Sequence, residues 1–194
     1  MCRFKRCWLI LCVSLSIPLA MAEQTALVGG RLIDGFGHQP IANSVILIKD
    51  GIIQQVGSVD TLVVPEGYQV ISTDGMDVLP GLWENHAHLM LNGHSDYVHW
   101  DKAYVDRLAD EIMPASAVQL LLAGITSARD LGAALDDTVS VKKRIENGEI
   151  PGPNLYVSGP FLQHEAYPGT EQFRWGIKGV RDAKQKVNKL ADAG

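Results

Sequence analysis

Val78-Leu79-Pro80-Gly81-Leu82-Trp83-Glu84-Asn85-His86-Ala87-His88-Leu89 is the stretch at which the sequence changes grammar, and its reading decides the fold. Residues two apart on a strand point to the same face. His86 and His88 can therefore present their imidazoles to one ion while Ala87 points away. Zinc binds neutral imidazole at about 2.0–2.1 Å, a distance that demands such convergence. The bare His-x-His pattern is common by chance, so the residues on either side carry the argument.

Upstream, from Thr25 to Leu79, short β-prone runs alternate with turn dipeptides, a pattern of hairpins rather than helices. Ser44-Val45-Ile46-Leu47-Ile48 and Ile52-Ile53-Gln54-Gln55-Val56 flank Lys49-Asp50-Gly51, and Asp-Gly supplies the positive φ angles of a tight hairpin turn. The same logic predicts a hairpin of Tyr68–Ser72 with Met76–Leu79 around Asp74-Gly75. Gly29-Gly30 and Gly35 punctuate an earlier strand, Ala26 to Ile33. Residues 23–80 thus read as a small β-domain, with Pro80-Gly81 as its exit.

Downstream, short apolar strands alternate with helical runs of about ten residues or more, the signature of parallel βα units. Leu82–Leu89 is a first strand, and Ala115–Ala123 a helix opened by Pro114 and closed at Gly124. Ile125–Ala128 is a second strand, ended by Arg129-Asp130-Leu131-Gly132. Thr138–Glu146 is a second helix, stopped by Asn147-Gly148, and Asn154–Ser158 a third strand. Val180–Ala193 is a third helix, with Val180, Ala183, Val187, Leu190 and Ala191 as its apolar stripe and Gly194 at its C′ position. In a barrel of such units the catalytic groups sit at the C-terminal ends of the strands, which is where His86 and His88 fall.

With its surroundings, the quoted stretch resembles the amidohydrolase superfamily, whose members pass from part of a β-sandwich into a metal-binding (β/α)8 barrel through a Pro-Gly-Leu/Phe-x-Asp-x-His-x-His strand. Gly51-Ile52-Ile53-Gln54-Gln55-Val56-Gly57 is similar to the hairpin before it, and Ala123-Gly124-Ile125-Thr126-Ser127-Ala128-Arg129-Asp130-Leu131-Gly132 to the second barrel strand. One departure is Glu84, where the family often has Asp. The resemblance implies an α/β fold, with residues 81–194 forming the first three βα units of the barrel. It also implies one or two divalent ions, zinc foremost, held by His86 and His88 together with a carboxylated lysine, two further histidines and an aspartate from later strands. The implied reaction is hydrolysis of carbon–nitrogen bonds in small amides, cyclic amides or dipeptides by metal-activated water. The region of Gly159-Pro160-Phe161 is most similar to imidazolonepropionase-like and Xaa-Pro dipeptidase-like members.

A complete barrel of this kind takes roughly 250 residues, and 109 run from His86 to Gly194. The expectation is a fragment whose barrel does not close, with the edge of strand three left unpaired and prone to aggregation. Two other readings stay open: a non-catalytic remnant of such an enzyme, and a periplasmic metal-binding module in which His94 or His99 would have to join the pair.

At the N-terminus, Arg3, Lys5 and Arg6 precede an apolar run from Cys7 that closes on Ala20-Met21-Ala22, an A-x-A-like site. Residues 1–22 read as a cleaved export signal, which predicts a periplasmic or secreted protein without stable membrane association. All three cysteines, Cys2, Cys7 and Cys12, fall inside it, so the mature chain can form no disulfide. Removing the three cations takes the formal charge from −5 to −8, which argues against nucleic acid as a partner and for a small molecule or dipeptide. A homo-oligomer is compatible with all of this.

Among other residues, His164 and Glu165 lie in the segment Gly159–Gly169 after the third strand, and His164 is the candidate substrate-binding residue. His94 and His99 read as solvated loop histidines. Arg129-Asp130 reads as a structural ion pair or a strand-end hydrogen-bonding group, and Trp100, Phe173 and Trp175 as packing residues. No catalytic acid or base is assigned within the chain.

Overall fold

A computed structural model of the chain describes residues 24–91, 96, 99 and 102–194, so the expected export signal, His94 and Trp100 lie outside the described residues. The architecture is mixed α/β, and the chain divides into two compact units at Pro80/Gly81.

The first unit holds β1 (Gln24–Val28), β2 (Arg31–Leu32), β3 (Ser44–Lys49), β4 (Ile52–Ser58), β5 (Gln69–Ser72) and β6 (Asp77–Val78). Four of them form one sheet in the order β4-β3-β1-β5. β3 and β4 are the antiparallel hairpin expected from Asp50-Gly51, with φ of 51° and 73° at the two turn residues. Both positive angles match the right-handed twist of the strands they join. Ala26, Val45 and Leu47 are buried on one face, under Val28, Leu62, Val64 and Tyr68.

The second expected hairpin does not form. β5 runs parallel to β1, and β6 runs parallel to β2 in a separate two-stranded sheet. The cause lies in the turn. Met76 N–H donates to the Thr73 carbonyl at 3.0 Å, but only Gly75 has a positive φ, at 74°. A turn with one left-handed residue at that position splays its flanking strands instead of pairing them. The expected strand Ala26–Ile33 is likewise broken at Gly29-Gly30, and the two bends interlock. Gly30 N–H donates to Thr73 Oγ1 at 2.9 Å, and Arg31 N–H to the Met76 carbonyl at 2.9 Å. A Cβ on Gly30 would stand 2.8 Å from that Oγ1 and 2.9 Å from the Thr73 carbonyl oxygen. Beyond the bend, Arg31 Nε and Nη2 grip the two carboxylate oxygens of Asp77 at 2.6 and 2.7 Å, fastening β2 to β6.

The second unit begins with β7 (Leu82–Ala87), two residues shorter than expected. A short 3-10 turn (Val105–Arg107) and a π turn (Leu108–Ile112) lead into α1 (Met113–Leu122), followed by β8 (Ile125–Asp130), α2 (Leu135–Glu146) and β9 (Asn154–Val157). β7, β8 and β9 form one parallel sheet in that order, as the βα grammar predicts. α2 starts three residues before Thr138 because Asp136 and Asp137 suit the positive end of its dipole, as Lys143 and Arg144 suit the other. Ala128 and Leu155 from the sheet, Met113 from α1 and Val141 from α2 meet in one core, joined by Leu89 and Phe173.

Two further short strands, β10 (Phe161–Gln163) and β11 (Arg174–Gly176), pair in parallel where the sequence suggested only a loop. α3 (Val180–Ala193) ends the chain at the expected residues, with φ of 95° at Gly194. Its apolar stripe is only partly covered: Val180 and Val187 are 74% and 51% exposed. No helix among the described residues is long and apolar enough to cross a membrane.

Candidate functional site

β7 is an edge strand of the parallel sheet, and its register against β8 slips between Glu84 and Ala87. Such an irregularity re-aims side chains near a strand end. His86 is exposed on the last turn of the strand and His88 is half-buried just beyond it. Their rings stand edge to face with centroids 5.1 Å apart. Simple alternation predicted that convergence, although here it is completed past a strand that has already ended. Glu84 Oε1 accepts the His86 N–H at 2.9 Å.

His88 is the more constrained ring. Its Nδ1 is fully buried and has no hydrogen-bond partner. Burial pushes its pKa down and the neighbouring His86 adds to this, while the Gly132 backbone pulls up and Arg174 pushes down again. The ring is thereby held neutral near pH 7, the protonation state a metal ligand needs. Two convergent imidazoles, one with an orphaned buried nitrogen, are a donor set that fits a divalent cation such as zinc. Among the described residues no third histidine or carboxylate completes a cluster around them.

Behind His88 stands a wall that sequence reading missed. The Phe161 ring lies 5.2 Å from the His88 ring. The Arg174 guanidinium lies over Phe161, Tyr167 and Phe173 at 5.0, 5.0 and 5.2 Å. The β10–β11 pairing sets Phe161 opposite Arg174, and strands of three residues are too short to show a periodicity. A cleft of about 340 Å³ opens beside the pair, lined by Glu84, His86, His88, Leu91, Ser116 and Gln119. Larger hollows of about 450 and 470 Å³ lie against α2 and contain neither histidine.

His164 is exposed one residue past β10, where its carbonyl accepts the Ile177 N–H at 3.3 Å. No contact joins it to His86 or His88 among the described residues. His99 is exposed, its N–H held by Asp96 Oδ1 at 3.1 Å. Arg129 is exposed whereas Asp130 is buried, and the two form no ion pair. Asp130 instead accepts the Gly132 N–H at 3.1 Å, the strand-end alternative.

No protein-family profile matches the chain. A curated relative, the ochratoxinase of Aspergillus niger, is 36% identical over 159 residues, which is 76% of this chain and 30% of that one. The crystal structure of A. niger ochratoxinase superposes with a TM-score of 0.65 at 26% identity, over 89% of this chain and 45% of that one. Over the stretch it covers, this chain is related to the amidohydrolase superfamily. Molinate hydrolase matches with a TM-score of 0.63 at 28% identity, over 73% of this chain and 31% of the other. A Bifidobacterium longum protein described as a prolidase matches at 0.69 and 25%, over 89% and 39%. The chain therefore spans less than half the length of each of these relatives.

Proposed function

We propose that this chain is the N-terminal part of a metal-dependent hydrolase of carbon–nitrogen bonds, acting on small amides, cyclic amides or dipeptides outside the cytoplasm. The observation that carries the reading is the His86–His88 pair, rings 5.1 Å apart at the C-terminal end of the first parallel strand. Relatives named as ochratoxinase, molinate hydrolase and prolidase support it. On this reading β7, β8 and β9 with α1, α2 and α3 are the first three units of a (β/α)8 barrel, and residues 23–80 belong to the accompanying β-sandwich.

His86 and His88 would hold one or two divalent ions, zinc first. When bound, such an ion supplies Lewis-acid polarisation of an amide carbonyl and makes water acidic enough to attack near neutral pH. The chain's own residues do the rest that is visible here. Burial keeps the His88 ring neutral and able to donate its lone pair. Glu84 fixes the backbone that carries His86. Phe161 packs against the His88 ring. His164 is kept as a substrate-contacting residue on its place after the third barrel strand.

The test is to measure zinc content and hydrolysis of a panel of Xaa-Pro dipeptides and N-acyl amino acids, before and after chelation, in the protein and in His86→Ala and His88→Ala variants. Both variants should lose metal and activity together. Metal-independent hydrolysis that survives the double substitution overturns the proposal. A second reading is a non-catalytic remnant of such an enzyme. Tight stoichiometric zinc with a sharp unfolding transition in the 194-residue chain argues against it.

A further inference from the structure

The C-terminal ends of the three parallel strands are laced together by backbone hydrogen bonds. Leu131 N–H donates to the Ala87 carbonyl at 2.9 Å, Ser158 N–H to the Asp130 carbonyl at 3.0 Å, and Ala133 N–H to the Gly159 carbonyl at 3.2 Å. Asp130 sits at the middle of this lacing, opposite Ala87 on one side and Val157 on the other. It is 1% exposed. A carboxylate so buried is costly unless donors meet its oxygens. Oδ1 accepts the Gly132 N–H at 3.1 Å. Oδ2 is equally buried and has no hydrogen bond of ordinary geometry, although the Leu89 backbone also acts on the carboxyl.

The Gly132 peptide held in this way lies at the ring on which His88 also packs. Phe161 is 5.2 Å from the His88 ring, and a Cβ added to Gly132 would come within 2.2 Å of the same phenyl ring. His88 Nδ1, like Asp130 Oδ2, is buried without a hydrogen bond of ordinary geometry, and the Gly132 backbone beside the ring acts on it as an acceptor, pulling its pKa up. Buried polar atoms without partners are rare, and each calls for an explanation. Here two of them flank one short turn.

We infer that Asp130 is a positioning residue for His88: its carboxylate orients the Leu131-Gly132 turn against the imidazole and so fixes the ring's tautomer and its direction toward a divalent cation. The inference rests on His86 and His88 being metal ligands. A ligating histidine almost always has its second ring nitrogen held by a carbonyl, carboxylate or water, and removing that outer support typically costs about 10–100-fold in metal affinity. Asp130 acts one peptide removed from the ring, through Gly132. Any side chain at position 132 would run into the Phe161 ring that packs on His88.

The experiment uses the 194-residue chain with Zn(II) as the probe, competed against a chromophoric chelator. Asp130→Ala should weaken zinc binding about 10–100-fold, while Asp130→Asn, which keeps an oxygen to accept the Gly132 N–H, should stay within a few-fold of the parent. Nitrogen-15 spectra of the histidine rings in the metal-free protein supply a readout that a merely structural role would not move. His88 should be a single tautomer in the parent and in Asp130→Asn, and a mixture in Asp130→Ala. Should Asp130→Ala fail to fold, the parent and Asn spectra still decide, because a mixed His88 tautomer in the parent overturns the inference. Zinc binding that depends on His88 but not on Asp130 overturns the inference alone. Zinc binding indifferent to His88→Ala overturns the ligand reading and the inference with it.

Discussion

Asp130 is the residue whose environment departs furthest from its ordinary chemistry. Burial pushes its carboxyl up to about 6, with the Gly132 and Leu89 backbone pulling the other way. A carboxyl whose folded pKa is raised contributes stability that is present below the unfolded value and lost as pH rises through the folded one. The metal-free chain should therefore lose on the order of 3 kcal/mol of unfolding free energy between about pH 4 and pH 7 from this group. Asp130→Asn should flatten that decline. Urea titrations of both proteins at several pH values check it, and parallel pH profiles for parent and variant would contradict it. At the same scale, Gly132→Ala should cost about 1–3 kcal/mol by driving a methyl into Phe161, a difference that thermal melts resolve.

Among the elements, the two Asp-Gly turns show how one dipeptide reaches two outcomes. Asp50-Gly51 makes a hairpin because both residues adopt positive φ and the space around Gly51 is open. Gly51→Ala should cost roughly 1 kcal/mol, from left-handed strain alone. Asp74-Gly75 uses one positive φ and redirects the chain, because β1 and β2 already offer it parallel partners. Gly30→Ala at that crossing meets backbone as well as side-chain oxygens and should cost more, about 1–3 kcal/mol, with loss of amide protection at Arg31 and Ile33. Equal melting temperatures for the two variants would contradict this ranking. The turn dipeptides were legible in the sequence, but their handedness was not, because it depends on which strand lies alongside.

At the scale of the molecule, the parallel sheet shows Trp83 and Tyr156 stacked at 5.4 Å on a face where each is about half exposed. Edge strands and apolar surface of this kind promote self-association. Sedimentation of the 194-residue chain should show concentration-dependent association that Trp83→Lys with Tyr156→Lys reduces. Secretion is checked separately: the exported protein should begin at Glu23, which N-terminal sequencing reads directly.

Periodicity and turn residues were enough, without coordinates, to place the three helices and the strands of the parallel sheet within a few residues, because those signals are local. The histidine pair was legible for the same reason, since two side chains two residues apart need only one strand to bring them together. Tertiary structure alone decided the parallel crossing of β1–β2 with β5–β6, the β10–β11 pair, and the placing of Phe161, Gly132 and Asp130 behind His88. Those arrangements depend on segments far apart in the chain meeting in space, and on burial that no single segment can set for itself.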